Sequence, residues 1–216
     1  MENNFSFDAE ELLSLVNDKT KLIILNSPAN PTGGVVPKKE YDKLAEGLLK
    51  HPKVFILSDE IYSRILFDEH KHHTLLKYPE IKDRVIVLDG WSKTYSMTGW
   101  RLGFGIYPQN IFSYAEKLAI NCHSCVNSAA QFAGIEALRG SQKSVNDMIE
   151  NFKSRRNFLV DQLNLIKNIE CKKPGGAFYV FPRINKKNLT STEISKYLLE
   201  KKYIATVPGS SFGEKG

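Results

Sequence analysis

Leu22-Ile23-Ile24-Leu25-Asn26, followed at once by Ser27-Pro28-Ala29-Asn30-Pro31-Thr32-Gly33-Gly34, decides how this chain folds. The first five residues are apolar up to a single polar one, without the alternation of a strand that is wet on one face. The eight that follow are rich in turn formers, the serine, the prolines, Asn30 and the glycines, each by its own chemistry. The same figure recurs downstream. Val54-Phe55-Ile56-Leu57 runs into Ser58-Asp59-Glu60, Arg84 to Leu88 runs into Asp89 to Lys93, and Leu102 to Tyr107 is a fourth, glycine-spaced run. Between the first two runs, Tyr41, Leu44 and Leu48 stand at helical spacing. Unalternating apolar runs separated by helices predict strands buried on both faces and joined by crossovers, an α/β sheet. Ligands in open α/β sheets bind beyond the carboxyl ends of the strands. Polar residues gather at three such ends, Asn26 to Asn30, Ser58 to Tyr62 and Asp89 to Lys93.

Outward from these runs the pattern is mostly helical. Asp8 and Glu11 have the spacing of a capping box, ahead of an apolar face of Leu12, Leu13, Leu15 and Val16. From Pro108 the spacing predicts helix to about Leu138, with Gly140 as punctuation. A long amphipathic stretch, Ser144 to Ile166, sets Val145, Met148, Ile149, Phe152, Leu159, Leu163 and Ile166 on one side. The remainder predicts a strand near Cys171, a turn at Pro174-Gly175-Gly176, a strand from Phe178 to Phe181, a helix capped by Thr190 and Glu193, and a strand from Ile204 to Val207. This α+β tail reads as a second, smaller unit joined by the long helix. There is no internal repeat and no low-complexity linker.

Bulk properties exclude several classes. Lys and Arg number 30 against 24 Asp and Glu, a net charge of +6. The basic residues are scattered, with isolated pairs at Lys38-Lys39, Lys172-Lys173, Lys186-Lys187 and Lys201-Lys202, which argues for solvated faces and against nucleic acid. Three cysteines make no disulfide framework and point to a reducing cytoplasm. Met1-Glu2-Asn3-Asn4 opens no signal peptide, and no apolar run approaches the roughly 20 residues of a membrane helix.

Three blocks carry the chemistry: Asn30-Pro31-Thr32-Gly33, Asp59-Glu60-Ile61-Tyr62, and Ser92-Lys93-Thr94-Tyr95-Ser96-Met97-Thr98-Gly99-Trp100-Arg101. With Pro174-Gly175-Gly176-Ala177-Phe178-Tyr179 and Pro208-Gly209-Ser210-Ser211-Phe212-Gly213, their order and spacing resemble the class I/II aminotransferases, the fold-type-I enzymes dependent on pyridoxal 5′-phosphate (PLP). The resemblance covers nearly the whole chain. It implies part of that family's large domain, a mainly parallel sheet flanked by helices, over 1–140. Over 141–216 it implies the linking long helix and part of a smaller α+β C-terminal domain. It further implies transamination between an amino acid and a 2-oxo acid, in a homodimer, with no role for nucleic acid or membrane. A PLP-dependent β-lyase or decarboxylating relative would share these residues. The amino acid used is not set by them.

By the same resemblance Lys93 holds the cofactor aldehyde as a Schiff base, and its freed amine moves the proton at the substrate Cα. Asp59 holds the pyridine nitrogen protonated through a charge-assisted hydrogen bond. Asn30 and Tyr62 donate to the cofactor's ring oxygen. Ser92 and Arg101 bind its phosphate, for which a guanidinium fork is suited. Lys93, Asp59 and Tyr62 are thus the expected catalytic residues. Gly90 stands where many relatives have a second serine. Glu60, pointing the other way from an extended backbone, is left unassigned.

Other features are set aside. Cys122-His123-Ser124-Cys125 has redox or zinc-like spacing but no second pair, and reads as structural cysteines opening a helix. His70, His72 and His73 read as a solvated loop, Met97 and Trp100 as core packing, and Gly99, Gly103 and Gly105 as permitting close approach. The family's glycine-rich phosphate loop, ring-stacking aromatic and inter-subunit tyrosine lie upstream of Met1. Its carboxylate-binding arginine lies beyond Gly216. The resemblance therefore implies a chain truncated at both ends and, on its own, an inactive one that self-associates.

Overall fold

The computed structural model describes residues 5–185 and 189–213. The start at Met1, the pair Lys186-Lys187 and the end at Glu214 to Gly216 lie outside the described residues. The elements follow in the order α1 (Ala9–Ser14), β1 (Leu22–Asn26), α2 (Lys38–Leu48), β2 (Phe55–Asp59), β3 (Val85–Gly90), β4 (Gly103–Ile106), α3 (Gln109–His123), α4 (Ser128–Arg139), α5 (Lys143–Asn164), β5 (Ile169–Glu170), β6 (Arg183–Ile184) and α6 (Ser191–Lys202).

The four apolar runs form one sheet in the order β1-β2-β3-β4. β1, β2 and β3 are parallel, in a register that sets Asn26 opposite Asp59 and Asp59 opposite Leu88. β4 returns antiparallel, with Gly90 opposite Gly103. The chain between β3 and β4 carries no full helix to cross over, so the strand can only turn back. Two turns fall beside Asp59 and Gly90, which brings the polar strand ends together. α1 and α2 cover one face, where Tyr41, Leu44, Ala45 and Leu48 pack against Leu25, Ile56, Val85 and Val87. The strands are therefore fully buried on one face only, and not on both as the unalternating runs predict. On the other face Leu57, Ile86 and Leu88 are half-buried, and at the β1 edge Leu22 and Ile24 are exposed, Ile24 by 69%.

Asp8 caps α1, its carboxylate accepting from the Glu10 and Glu11 amides at 2.9 Å each. The expected capping box is only half made, since the Glu11 side chain does not accept from the Asp8 N–H. Leu12, Leu13 and Val16 pack on the core, but Leu15 falls at the helix end and is exposed. The single helix expected from Pro108 to Leu138 is two. Ser124 takes a left-handed φ of 60°, which ends α3, and the Asn127 side chain caps α4 by accepting from Ala130 N–H at 3.0 Å. Cys122 to Cys125 accordingly closes a helix and does not open one, and both cysteines are exposed. α3 buries none of its residues.

α5 keeps the predicted face through Val145, Met148, Ile149 and Phe152, then continues at i+4 through Arg156 and Val160. Leu159 and Ile166 are exposed instead. An arginine can hold a place in an apolar stripe only when its charge is fully partnered, as Arg156 is below. The expected strand at Phe178 to Phe181 is an irregular turn, and the strand lies further on, at β6, paired with β5. Ile204 to Val207 forms no strand, since no ladder partner reaches it among the described residues. α6 begins with the full reciprocal box of Thr190 and Glu193.

Candidate active site

Asn26 ties the first two strand ends together. Its side-chain amide donates to the Asp59 carbonyl at 3.0 Å, and its side-chain oxygen accepts from the Asn30 N–H at 2.7 Å. The sequence marks Asn26 as the start of the first polar strand end but gives it no role of its own. Asp59, the last residue of β2, is half-buried, and its carboxylate accepts from the Ile61 N–H at 3.2 Å. Glu60 turns the other way, as the strand geometry predicts. It is buried, accepting from the Ser58 hydroxyl at 3.0 Å and bonded to His72 Nε2 at 2.6 Å. His72 is thus no loop bystander: it answers a buried carboxylate. Among the described residues no group of His, Cys, Asp or Glu is arranged to hold a metal.

Tyr62 is buried, and its hydroxyl lies 2.6 Å from that of Tyr179. Burial above all, and then the bond to Tyr179, raises the Tyr62 phenol well beyond its ordinary range. Asn30 and Asp59 are joined through Asn26, and Tyr62 follows Asp59 by three residues.

The lysine loop starts at Gly90, where the backbone N–H donates to Asp89 Oδ1 at 2.6 Å. A Cβ on Gly90 would stand 2.8 Å from Gly103 Cα and 2.9 Å from the Leu102 carbonyl oxygen. The close approach of β4 leaves no room for a side chain at this position. Asp89 also accepts from the Ser63 hydroxyl at 3.1 Å, and burial raises its carboxyl above the usual range. Lys93 is half-buried, with Nζ 6.0 Å from the centre of the Phe178 ring. It borders a recess of about 210 Å³ lined by Ser92, Lys93, Ser96, Thr98, Met148, Phe152 and Phe178. Thr98 braces the loop by donating to the Ser92 carbonyl at 3.0 Å. Arg101 takes a left-handed φ of 55°, is exposed, and donates to the Thr98 carbonyl at 3.1 Å. It makes no hydrogen bond to the other five expected site residues among those described. Met97 is buried as expected, but Trp100 is half-exposed and not core.

Two of the sequence blocks dock on each other. The Gly175 and Gly176 amides both donate to the Gly33 carbonyl at 3.0 Å, and Gly33, at φ 67°, would place a Cβ 2.4 Å from Pro174 Cβ. The turn is held from behind by Arg156, a residue missed in the sequence. Its guanidinium donates to the Pro174 carbonyl at 2.9 Å, pairs with Asp68 at 2.9 Å and lies 4.6 Å over the Phe67 ring. Arg156 thereby seats the turn that delivers Phe178 to Lys93 and Tyr179 to Tyr62.

An amine beside an aromatic-walled recess, with a carboxylate and buried phenol at the neighbouring strand ends, is joined by one further observation. The family model for aminotransferase class I and II matches residues 1–216. The chain belongs to the class I and II aminotransferases. Among curated relatives of this aminotransferase chain is the aspartate aminotransferase of Pyrococcus abyssi, 39% identical over the whole of this chain and 55% of its own length. A probable aspartate/prephenate aminotransferase of Rickettsia felis is 38% identical over the whole chain and 56% of its own. Among solved structures, an aromatic aminotransferase from Pyrococcus horikoshii OT3 superposes with a TM-score of 0.94 at 36% identity, over all of this chain and 58% of that one. The aminotransferase chain described here thus spans little more than half the length of its relatives. Its donor set fits PLP: a lysine amine at a recess, a carboxylate, hydroxyl and amide donors, and an exposed guanidinium joined to the Ser92 backbone through Thr98.

Proposed function

We propose that this aminotransferase chain holds PLP on Lys93 and transfers an amino group between an amino acid and a 2-oxo acid. The observation that carries the proposal is the convergence of Lys93, walled by Phe178 beside Ser92, with Tyr62, packed edge-on to the same Phe178 ring at 5.4 Å, and with Asn30 and Asp59, joined through Asn26 at the ends of the parallel strands. PLP, when bound, supplies an electron sink for the pair left at the substrate Cα. Asp59 would keep the pyridine nitrogen protonated through a charge-assisted bond worth about 1.5–3 kcal/mol. Tyr62 and Asn30 would donate to the ring oxygen. Ser92 and the guanidinium of Arg101 would take the phosphate, without a third side chain, since Gly90 supplies none. Lys93 Nζ, freed by substrate, would carry the proton at Cα.

The relatives' names favour acidic or aromatic amino acids, and we take these as the substrate classes to test first. Residues 1–140 and 141–216 are proposed as parts of a large and a small domain, consistent with two sheets on either side of α5. A homodimer is the proposed assembly. The apolar side chains exposed along α3 and α4, including Phe112, Leu118, Phe132 and Ile135, support it. No helix among the described residues is long and apolar enough to cross a membrane. A reducing cytoplasm is proposed, in keeping with three free cysteines.

A second reading concerns the 216 residues by themselves. Their exposed Leu22 and Ile24 at the sheet edge and their bare α3 favour a chain that folds and associates but turns nothing over alone. The holoenzyme test is 2-oxo acid release from aspartate or phenylalanine, with and without an acceptor 2-oxo acid. Release beyond one equivalent per bound PLP is expected only with the acceptor. Acceptor-independent turnover of an amino acid that carries a leaving group on Cβ, such as an S-substituted cysteine, to pyruvate, ammonia and the thiol, with no acceptor-dependent release from aspartate or phenylalanine, would overturn transamination in favour of a β-lyase.

A further inference from the structure

Tyr179 belongs to a segment that was expected to be a strand and is instead a turn aimed at the candidate site. Its placement is closely determined. Ala177, at φ 56°, donates to the Ile65 carbonyl at 2.9 Å, and Arg156 anchors Pro174 behind it. The Tyr179 ring stands edge-on to Tyr62 at 5.7 Å and against Phe178 at 4.8 Å. The hydroxyl pair at 2.6 Å joins residues 117 apart in sequence and lies at the short end of the O–H···O range.

A phenol has one proton to give and two lone pairs to receive. If Tyr62 spends its proton on Tyr179, none is left for a cofactor oxygen. If Tyr179 is the donor, the Tyr62 proton is free. We propose that Tyr179 is a positioning residue, donating its hydroxyl proton to Tyr62 and so directing the Tyr62 proton toward the ring oxygen of PLP. This rests on the reading of Tyr62 as a donor to that oxygen. A chain of hydrogen bonds pointing one way also strengthens each member, so Tyr179 makes Tyr62 a better donor than it is alone.

The titratable groups around the pair are Asp59 beside Tyr62 and, across the Phe178 ring, Lys93. Their effects are common to all the variants below. The test uses the holoenzyme and reads the pH midpoint at which the visible absorption of bound PLP changes, a quantity independent of turnover. A donor to the ring oxygen lowers the proton affinity of the chromophore, so removing one raises the midpoint. Tyr62→Phe is expected to raise it by about 1–2 pH units, the worth of one hydrogen bond to a charged group. Tyr179→Phe keeps the ring and is expected to raise it by about 0.1–0.7 units, the share owed to cooperativity. In the Tyr62→Phe background, Tyr179→Phe should add nothing. Tyr179→3-fluorotyrosine, a stronger donor of nearly the same size, should lower the midpoint, and it covers the case in which Tyr179→Phe fails to retain PLP. An unmoved midpoint in Tyr62→Phe overturns the reading of Tyr62 itself. A shift there with none in either Tyr179 variant overturns only the role of Tyr179, and additive shifts in the double variant overturn the relay.

Discussion

Replacing Arg156 by Met keeps the length of the side chain and removes every polar contact behind the Pro174 turn. The arginine is 5% exposed. Its loss leaves the Pro174 carbonyl without the guanidinium donor, at a cost of about 1–3 kcal/mol. The contact over Phe67 at 4.6 Å is desolvated and contributes up to about 2 kcal/mol. The Asp68 side chain is 39% exposed, so water screens the ion pair and its share is about 1 kcal/mol or less. Since these contacts act as one unit, they do not sum, and we expect a loss of about 3–4 kcal/mol, the lower part of the range for breaking a buried pair. Urea denaturation at neutral pH measures it. The pH dependence adds a second check. The bond from Arg156, and then its charge, hold the Asp68 carboxyl below its ordinary value. A depressed carboxyl contributes stability that is complete above its unfolded value, about 3.9, and is lost as pH falls through the folded value. The gap between the parent and Arg156→Met should therefore narrow in acid. A loss under about 1 kcal/mol, or a gap that widens below pH 4, would refute the reasoning.

Asp59→Asn should retain PLP while slowing Cα proton removal about 10- to 100-fold or more in single-turnover kinetics, because a neutral amide cannot hold the pyridine nitrogen protonated. Gly33→Ala meets both a left-handed backbone and a Cβ contact of 2.4 Å with Pro174, so thermal denaturation should show a loss of about 2 kcal/mol or more. The 216-residue chain alone should show no transamination with PLP in excess. It should elute from a sizing column larger than a monomer, and robust turnover by a monomer would count against the proposed incompleteness.

The parallel half of the sheet was legible because Leu22 to Asn26 and Val54 to Asp59 are apolar runs that stop at polar residues, and the structure places their strands there. Two strand ends and the loop after a third were enough to point to Asn30, Asp59 and Lys93 as neighbours in the fold. What escaped the sequence depends on tertiary partners. Phe178 to Phe181 has the composition of a strand, but Arg156 and Gly33 hold the preceding turn so that Phe178 and Tyr179 face the site. Arg156 itself looks like a solvated charge until its partners Asp68 and Pro174 arrive from elsewhere in the chain. His72 was indistinguishable from His70 and His73 in a loop of lysine and acidic residues, because only the fold shows that Glu60 is buried behind it. Ile204 to Val207 has the residues of a strand and no neighbour to pair with among those described. Pattern registers the capacity for an element, and the partner decides whether it forms.

The central claim is that Lys93 is the lysine that carries the cofactor. Borohydride reduction of the PLP-loaded protein, followed by digestion and peptide mass analysis, tests it most directly. The account predicts the phosphopyridoxyl group on the peptide containing Lys93, and its loss in Lys93→Ala with the fold intact. The same group found on a different lysine, or retained at full yield in Lys93→Ala, would contradict it.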